Sequence, residues 1–141
     1  MAVLMEKNFP VEAGAYESAG EASTTIKRTL KQLGVKAEVL RHVSVACYEV
    51  ELNLVIHSLG GTLTLQVEPD KVTLISKDVG PGIPDIEKAM TEGFSTANEE
   101  ARTLGFGAGM GLPNMKRYTD SLEIDTKVGV GTKLTMVVAV K

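Results

Sequence analysis

The apolar residues change their spacing at Gly60-Gly61. Before that pair, Val39, Leu40, Val43, Ala46, Cys47, Val50 and Leu54 recur at intervals of three and four. That is the stripe of an amphipathic helix, expected from about Ala37 to His57. After it, Leu63, Leu65 and Val67 alternate with polar residues, and the run KVTLIS returns beyond a Pro69-Asp70 turn. This is the signature of a β-hairpin. A chain that switches from a period of 3.6 to a period of 2 must pack a helix on a sheet.

The flanking segments extend the pattern. Residues 4–11 read as an edge strand, where Pro10 is tolerated. Ser18-Ala-Gly-Glu21 fits a capping box with Ser18 as N-cap. The helix it opens is expected to reach about Leu33, with Ile26, Leu30 and Leu33 on one face and Gly34 as its stop. Downstream, a short helix is expected near residues 86–91, a long loop over 92–111 and a helix over 112–119, with Pro113 in its first turn. Two alternating segments, marked by Leu122 and Ile124 and then by Leu134, Met136, Val138 and Val140, are joined by the turn VGVG. The expected order is β-α-α-β-β-α-loop-α-β-β. It predicts one domain over residues 1–141, an α+β two-layer sandwich: a mixed, mostly antiparallel sheet with helices on one face.

Composition removes several functions. Eighteen acids against fifteen bases leave a net charge of -3, without the basic excess of a nucleic-acid binder. No unbroken apolar run exceeds five residues, the length of residues 136–140, which is too short to span a membrane. The first ten residues lack the pattern of a secretory signal, so the expected location is the cytoplasm. Cys47 is the single cysteine, and with two histidines no zinc-type cluster is expected.

Chemistry concentrates in two places. Glu49, Asn53 and His57 are spaced by four and stack along one face of the long helix. Asn offers a neutral oxygen to Mg²⁺, and a carboxylate one turn away can accept a proton from an attacking hydroxyl. Taken singly, Glu49 and Asn53 read equally well as solvated surface, and His57 as a cation at a helix C-terminus. The second place is the glycines, nine of the fourteen falling between Gly80 and Gly131. Asp78-Val-Gly80-Pro-Gly82 follows a strand, and its carboxylate suits the exocyclic amine of adenine while repelling the carbonyl of guanine. Gly105, Gly107, Gly109 and Gly111 alternate ahead of Leu112 and its helix, an arrangement that offers backbone N–H groups to an anion. It matches neither a Walker A loop nor a dinucleotide-binding fingerprint. Gly129-Val-Gly131-Thr132 reads as a hairpin turn, with the Thr132 hydroxyl available to a ligand.

The ordered set E-x-x-x-N, D-x-G-x-G, G-x-G-x-G-x-G and G-x-G-T, from about Ser18 to the C-terminus, resembles the GHKL ATPase superfamily of gyrase, MutL and the histidine kinases, with its Bergerat-type nucleotide site. DVGPGIPDIEKAMTEGFSTA followed by KVGVGTKL is most similar to the anti-sigma-factor serine/threonine kinases, in their RsbT-like switch-kinase branch. The resemblance implies a histidine-kinase-like ATPase fold, ATP and Mg²⁺ as cofactors, and transfer of the γ-phosphate to a Ser or Thr. The implied substrate is a STAS-domain partner resembling the anti-sigma-factor antagonists. A sigma factor or other regulator is a further implied partner, and a homodimer a candidate assembly. It implies Glu49 as general base and Asn53 as Mg²⁺ ligand. It also implies Asp78 as the adenine-reading acid with Gly80 and Gly82 beneath the base, Gly105, Gly107, Gly109, Gly111 and Leu112 at the phosphates, and Thr132 near the adenine. Arg102, Lys116 and Arg117 are candidates for a γ-phosphate contact. The chain departs from the pattern at Leu54, where the superfamily often has Ala, and in the longer lid NEEARTLGFGAG. His42 does not match a histidine-kinase phosphoacceptor. The alternatives are an ATP-binding regulatory module without significant turnover and a stand-alone histidine-kinase-like catalytic domain.

Overall fold

The computed structural model describes residues 4–14, 19–80, 82–83, 90 and 111–140. In chain order the elements are β1 (Met5–Val11), α1 (Glu21–Gln32), α2 (Ala37–His57), β2 (Gly61–Val67), β3 (Lys71–Asp78), α3 (Gly111–Arg117), β4 (Ser121–Lys127) and β5 (Gly131–Ala139). Apart from residue 90, the expected short helix near 86–91 lies outside the described residues, as does the expected loop over 92–111 except for its last residue. The five strands form a sheet in the order β1-β2-β3-β5-β4, and every described pairing is antiparallel. The last strand thus inserts between β3 and β4. The edge position expected for residues 4–11 holds, with Pro10 opposite Thr62. Among the described residues, no helix is long and apolar enough to cross a membrane.

One face of the sheet is the core. Strand register stacks its inward residues in rows: Val67, Val72 and Val138; then Leu65, Leu74, Met136 and Leu122; then Leu63, Ser76, Leu134 and Ile124. The α2 stripe closes over these rows, with Val43, Ala46, Cys47 and Val50 fully buried and Leu54 nearly so. Burying side chains of this size contributes about 1.5–3 kcal/mol each relative to exposure. Burial also pushes the Cys47 thiol up to about 12, against a lowering contribution from Ser23, so it stays a protonated, packed thiol.

The start of α1 departs from expectation. The N-cap is Gly20, in a left-handed conformation at φ 99, and it carries no side-chain cap. The cap comes from α2 instead. Glu51 Oε2 accepts the N–H of Ala22 at 3.1 Å, and Oε1 accepts the Ser23 N–H at 2.9 Å and the Ser23 hydroxyl at 2.6 Å. A carboxylate at a helix N-terminus satisfies orphan donors and meets the positive end of the macrodipole. Glu51 is 3% exposed, so removing it leaves those donors buried and unpaired. Glu51→Ala is expected to cost about 2 kcal/mol of stability, read from urea unfolding. The far end of α1 is as expected. Gly34, at φ 80, donates to the Lys31 carbonyl, and Val35 N–H reaches back to Leu30. This is a Schellman stop. Leu33, the C-cap, is exposed and does not join Ile26 and Leu30 in the core; Val35, beyond the turn, packs there instead.

Candidate nucleotide site

The end of the core face at which β3 exits is polar. Gly61 lies opposite Asp78, and Thr126 opposite Thr132. The Thr132 N–H donates to Asp78 Oδ1 at 3.0 Å, joining the two pairs into a final row. The other side-chain oxygen of Asp78, Oδ2, has no hydrogen bond among the described residues. Burial raises the Asp78 pKa, and the Thr132 hydrogen bond opposes that rise.

Backbone contacts hold this end together. Val79 N–H donates to the Gly60 carbonyl at 3.1 Å, and Leu59 N–H to the Val79 carbonyl at 2.7 Å. The C-terminal end of α2 is therefore tied to the exit of β3. Gly80 N–H donates to the Val130 carbonyl at 3.1 Å, tying that exit to the β4–β5 turn. Two glycines are required here by close approach. A Cβ on Gly131 would lie 2.2 Å from the Asp78 carbonyl oxygen, and one on Gly82, at φ +75, 2.6 Å from that of Lys127. Gly82 thus packs against backbone of the β4–β5 turn.

On α2, Glu49 is half-buried. It accepts a long hydrogen bond, 3.5 Å, from Asn114 Nδ2 on α3. Burial raises its pKa, and the Asn114 contact opposes that rise. Two turns earlier, His42 meets the Tyr118 ring edge-on at 5.6 Å, so α3 lies along the helix face that carries Glu49. Leu112 and Met115 anchor α3 in the core. Asn53 is partly buried one turn beyond Glu49, and its carboxamide has no hydrogen bond among the described residues. The His57 side chain, Arg102, Gly105, Gly107 and Gly109 lie outside what is described. Gly111 is the first residue of α3. Leu112 is buried, so what it can offer a ligand is backbone. Lys116 and Arg117 are exposed, and Arg117 Nη1 donates to Asn114 Oδ1 at 3.5 Å.

Three polar residues were not singled out from the sequence as ligand candidates: Ser76, Asn114 and Thr126. Thr126 Oγ1 accepts the Ile83 N–H at 2.8 Å and lies 2.9 Å from Thr132 Oγ1. The signal for Thr126 was its place on the alternating face across the VGVG turn from Thr132. Two open grooves among the described residues lie elsewhere, along α1, and include neither Asn53 nor Asp78.

A polar sheet end that joins D-x-G-x-G to G-x-G-T, tied to the C-terminal end of the helix that carries E-x-x-x-N, is the arrangement of an ATPase-type domain. Residues 13–138 match the family described as the histidine kinase-like ATPase domain, and the chain belongs to that family. The chain is 30% identical over 112 residues to the serine/threonine-protein kinase RsbT of Bacillus subtilis, covering 77% of this chain and 78% of that protein. It is 33% identical over 138 residues to an anti-sigma F factor of Thermoanaerobacter sp., covering 94% and 91% respectively. A chain in the crystal structure of the SiaB-SiaC complex from Pseudomonas aeruginosa has the same fold, with a TM-score of 0.62 at 14% identity over 96% of this chain and 89% of that one.

Proposed function

We propose that this chain is an ATP-dependent serine/threonine protein kinase of the anti-sigma regulatory, partner-switching type, and that its substrate is a STAS-domain partner in the cytoplasm. The observation that carries the reading is the placement of Glu49 and Asn53, one turn apart on a helix whose C-terminal end is tied to the Asp78–Gly80 segment. The kinase and anti-sigma names of its relatives support it. The residues fit their ligands. The unengaged Asp78 oxygen can accept an amine proton from adenine, and the unengaged Asn53 carboxamide can give its oxygen to Mg²⁺. Magnesium, when bound, neutralises charge on the phosphates.

In the transfer step, the Ser or Thr oxygen of the partner bonds to the γ-phosphorus as the bond to the ADP oxygen breaks. Glu49 takes the hydroxyl proton, and ADP leaves with the bond's electron pair. Little covalent work falls to the protein; it positions groups and stabilises charge. Incubation with γ-labelled ATP and a STAS-domain protein captured from the native cytoplasm tests the reading. Acid-stable phosphoserine or phosphothreonine on the partner is expected. Acid-labile phosphohistidine, or ATP binding without transfer, contradicts it.

The base must be deprotonated to act. Burial raises the Glu49 pKa, so the acid limb of kcat is expected above the ordinary glutamate value of about 4.3. The Asn114 hydrogen bond opposes that rise, so Asn114→Leu is expected to move the limb further up in a kcat–pH profile.

A further inference from the structure

Among the described residues, one buried position in the apolar rows of the core face is polar. Ser76 lies between Leu63 and Leu134, with Ile124 beyond, and is 2% exposed. The inward positions before it on the same strand, Val72 and Leu74, are apolar and buried. The Ser76 hydroxyl has no hydrogen bond among the described residues. No fully enclosed side-chain nitrogen or oxygen there lacks a partner, so the small accessible area of Ser76 includes its hydroxyl oxygen. With no protein partner and so little exposed area, this hydroxyl stabilises the empty protein no more than Ala or Val would at the same place. Ser76 faces the side of the sheet that Asp78 faces, two residues and roughly 7 Å along the strand.

We propose that Ser76 is a specificity-determining contact for the nucleobase, resting on the nucleotide reading above. Asp78 accepts from the exocyclic amine of adenine. Ser76 donates to the ring nitrogen beside that amine, N1, directly or through one water. The pair reads an amine next to an unprotonated nitrogen, the edge that distinguishes adenine from guanine. No bond is made or broken; the hydroxyl gains on binding the partner it lacks in the empty protein.

The test uses Ser76→Ala and Ser76→Val with two readouts. In scanning calorimetry without nucleotide, both variants are expected to melt at or above the wild-type temperature. In titration calorimetry, Ser76→Ala is expected to bind MgATP about three- to tenfold more weakly than wild type. With an ATP analogue carrying carbon in place of N1, wild type and Ser76→Ala are expected to bind equally. A lower melting temperature with unchanged ATP affinity makes Ser76 structural and overturns the proposal. An affinity loss that persists with the carbon analogue overturns it too. In both cases wild type still binds ATP, so the nucleotide reading survives; a wild type that binds no ATP ends both.

Discussion

Glu49→Gln is expected to lower the rate of phosphoryl transfer about a hundred- to ten-thousandfold while MgATP still binds. That range is what a positioned general base contributes. The substitution keeps the size of the side chain and an oxygen to meet the Asn114 carboxamide, but removes the group that takes the proton. It also separates chemistry from folding. The Glu49 pKa is raised in the folded chain, so the folded state holds this proton more tightly than the unfolded one. The desolvated carboxylate therefore costs stability above its folded pKa. That cost disappears as pH falls through the window down to the ordinary glutamate value. At neutral pH, Glu49→Gln is expected to melt no lower than wild type. Single-turnover transfer, ATP titration and thermal melting on one preparation check all three. Lost ATP binding, or transfer at the wild-type rate, shows that Glu49 has another role.

Asp78→Asn is expected to weaken ATP binding by about 2–5 kcal/mol, because a charged acceptor matched to an amine is replaced by a neutral amide. The Thr132 N–H at 3.0 Å is a donor that either side chain can satisfy with one oxygen. In Asn the other terminal group is then NH₂, which faces the adenine amine donor against donor. The same NH₂ suits the carbonyl of guanine or hypoxanthine, so relative affinity is expected to move toward GTP and ITP. Competition titrations with ATP, GTP and ITP measure this. Unchanged ATP affinity and an unchanged order among the three nucleotides contradict the adenine-reading role.

Much of this architecture could be read from local pattern. The period switch at Gly60-Gly61 located α2 and the β2–β3 hairpin, and Gly34 marked the end of α1. Pro10 marked an edge strand. These signals are local because propensity, turn chemistry and amphipathic spacing act over a few residues. What stayed hidden is long-range. The α1 cap comes from Glu51, 28 to 29 residues away, and no local box announces it. Leu33 carries the spacing of a core residue, but the chain turns at Gly34 and Val35 takes the place against the core. Insertion of β5 between β3 and β4 is a pairing choice that alternation alone does not decide.

The candidate site divides in the same way. Glu49, Asn53, Asp78 and Thr132 were visible because each sits in a spaced motif. Asn114 was not, because its relation to Glu49 spans 65 residues and arises only when α3 lies along α2. Ser76 is a plain serine in an alternating strand. It stands out only once its row-mates prove apolar and its hydroxyl proves to lack a partner.

The central claim is that MgATP binds between α2 and the polar end of the sheet. Titration calorimetry of MgATP into the purified wild-type chain, repeated with Asp78→Asn, tests it most directly. The account predicts one site per chain, weakened by about 2–5 kcal/mol in the variant. Absence of binding heat across a range of temperatures, or identical isotherms for the two proteins, would contradict it.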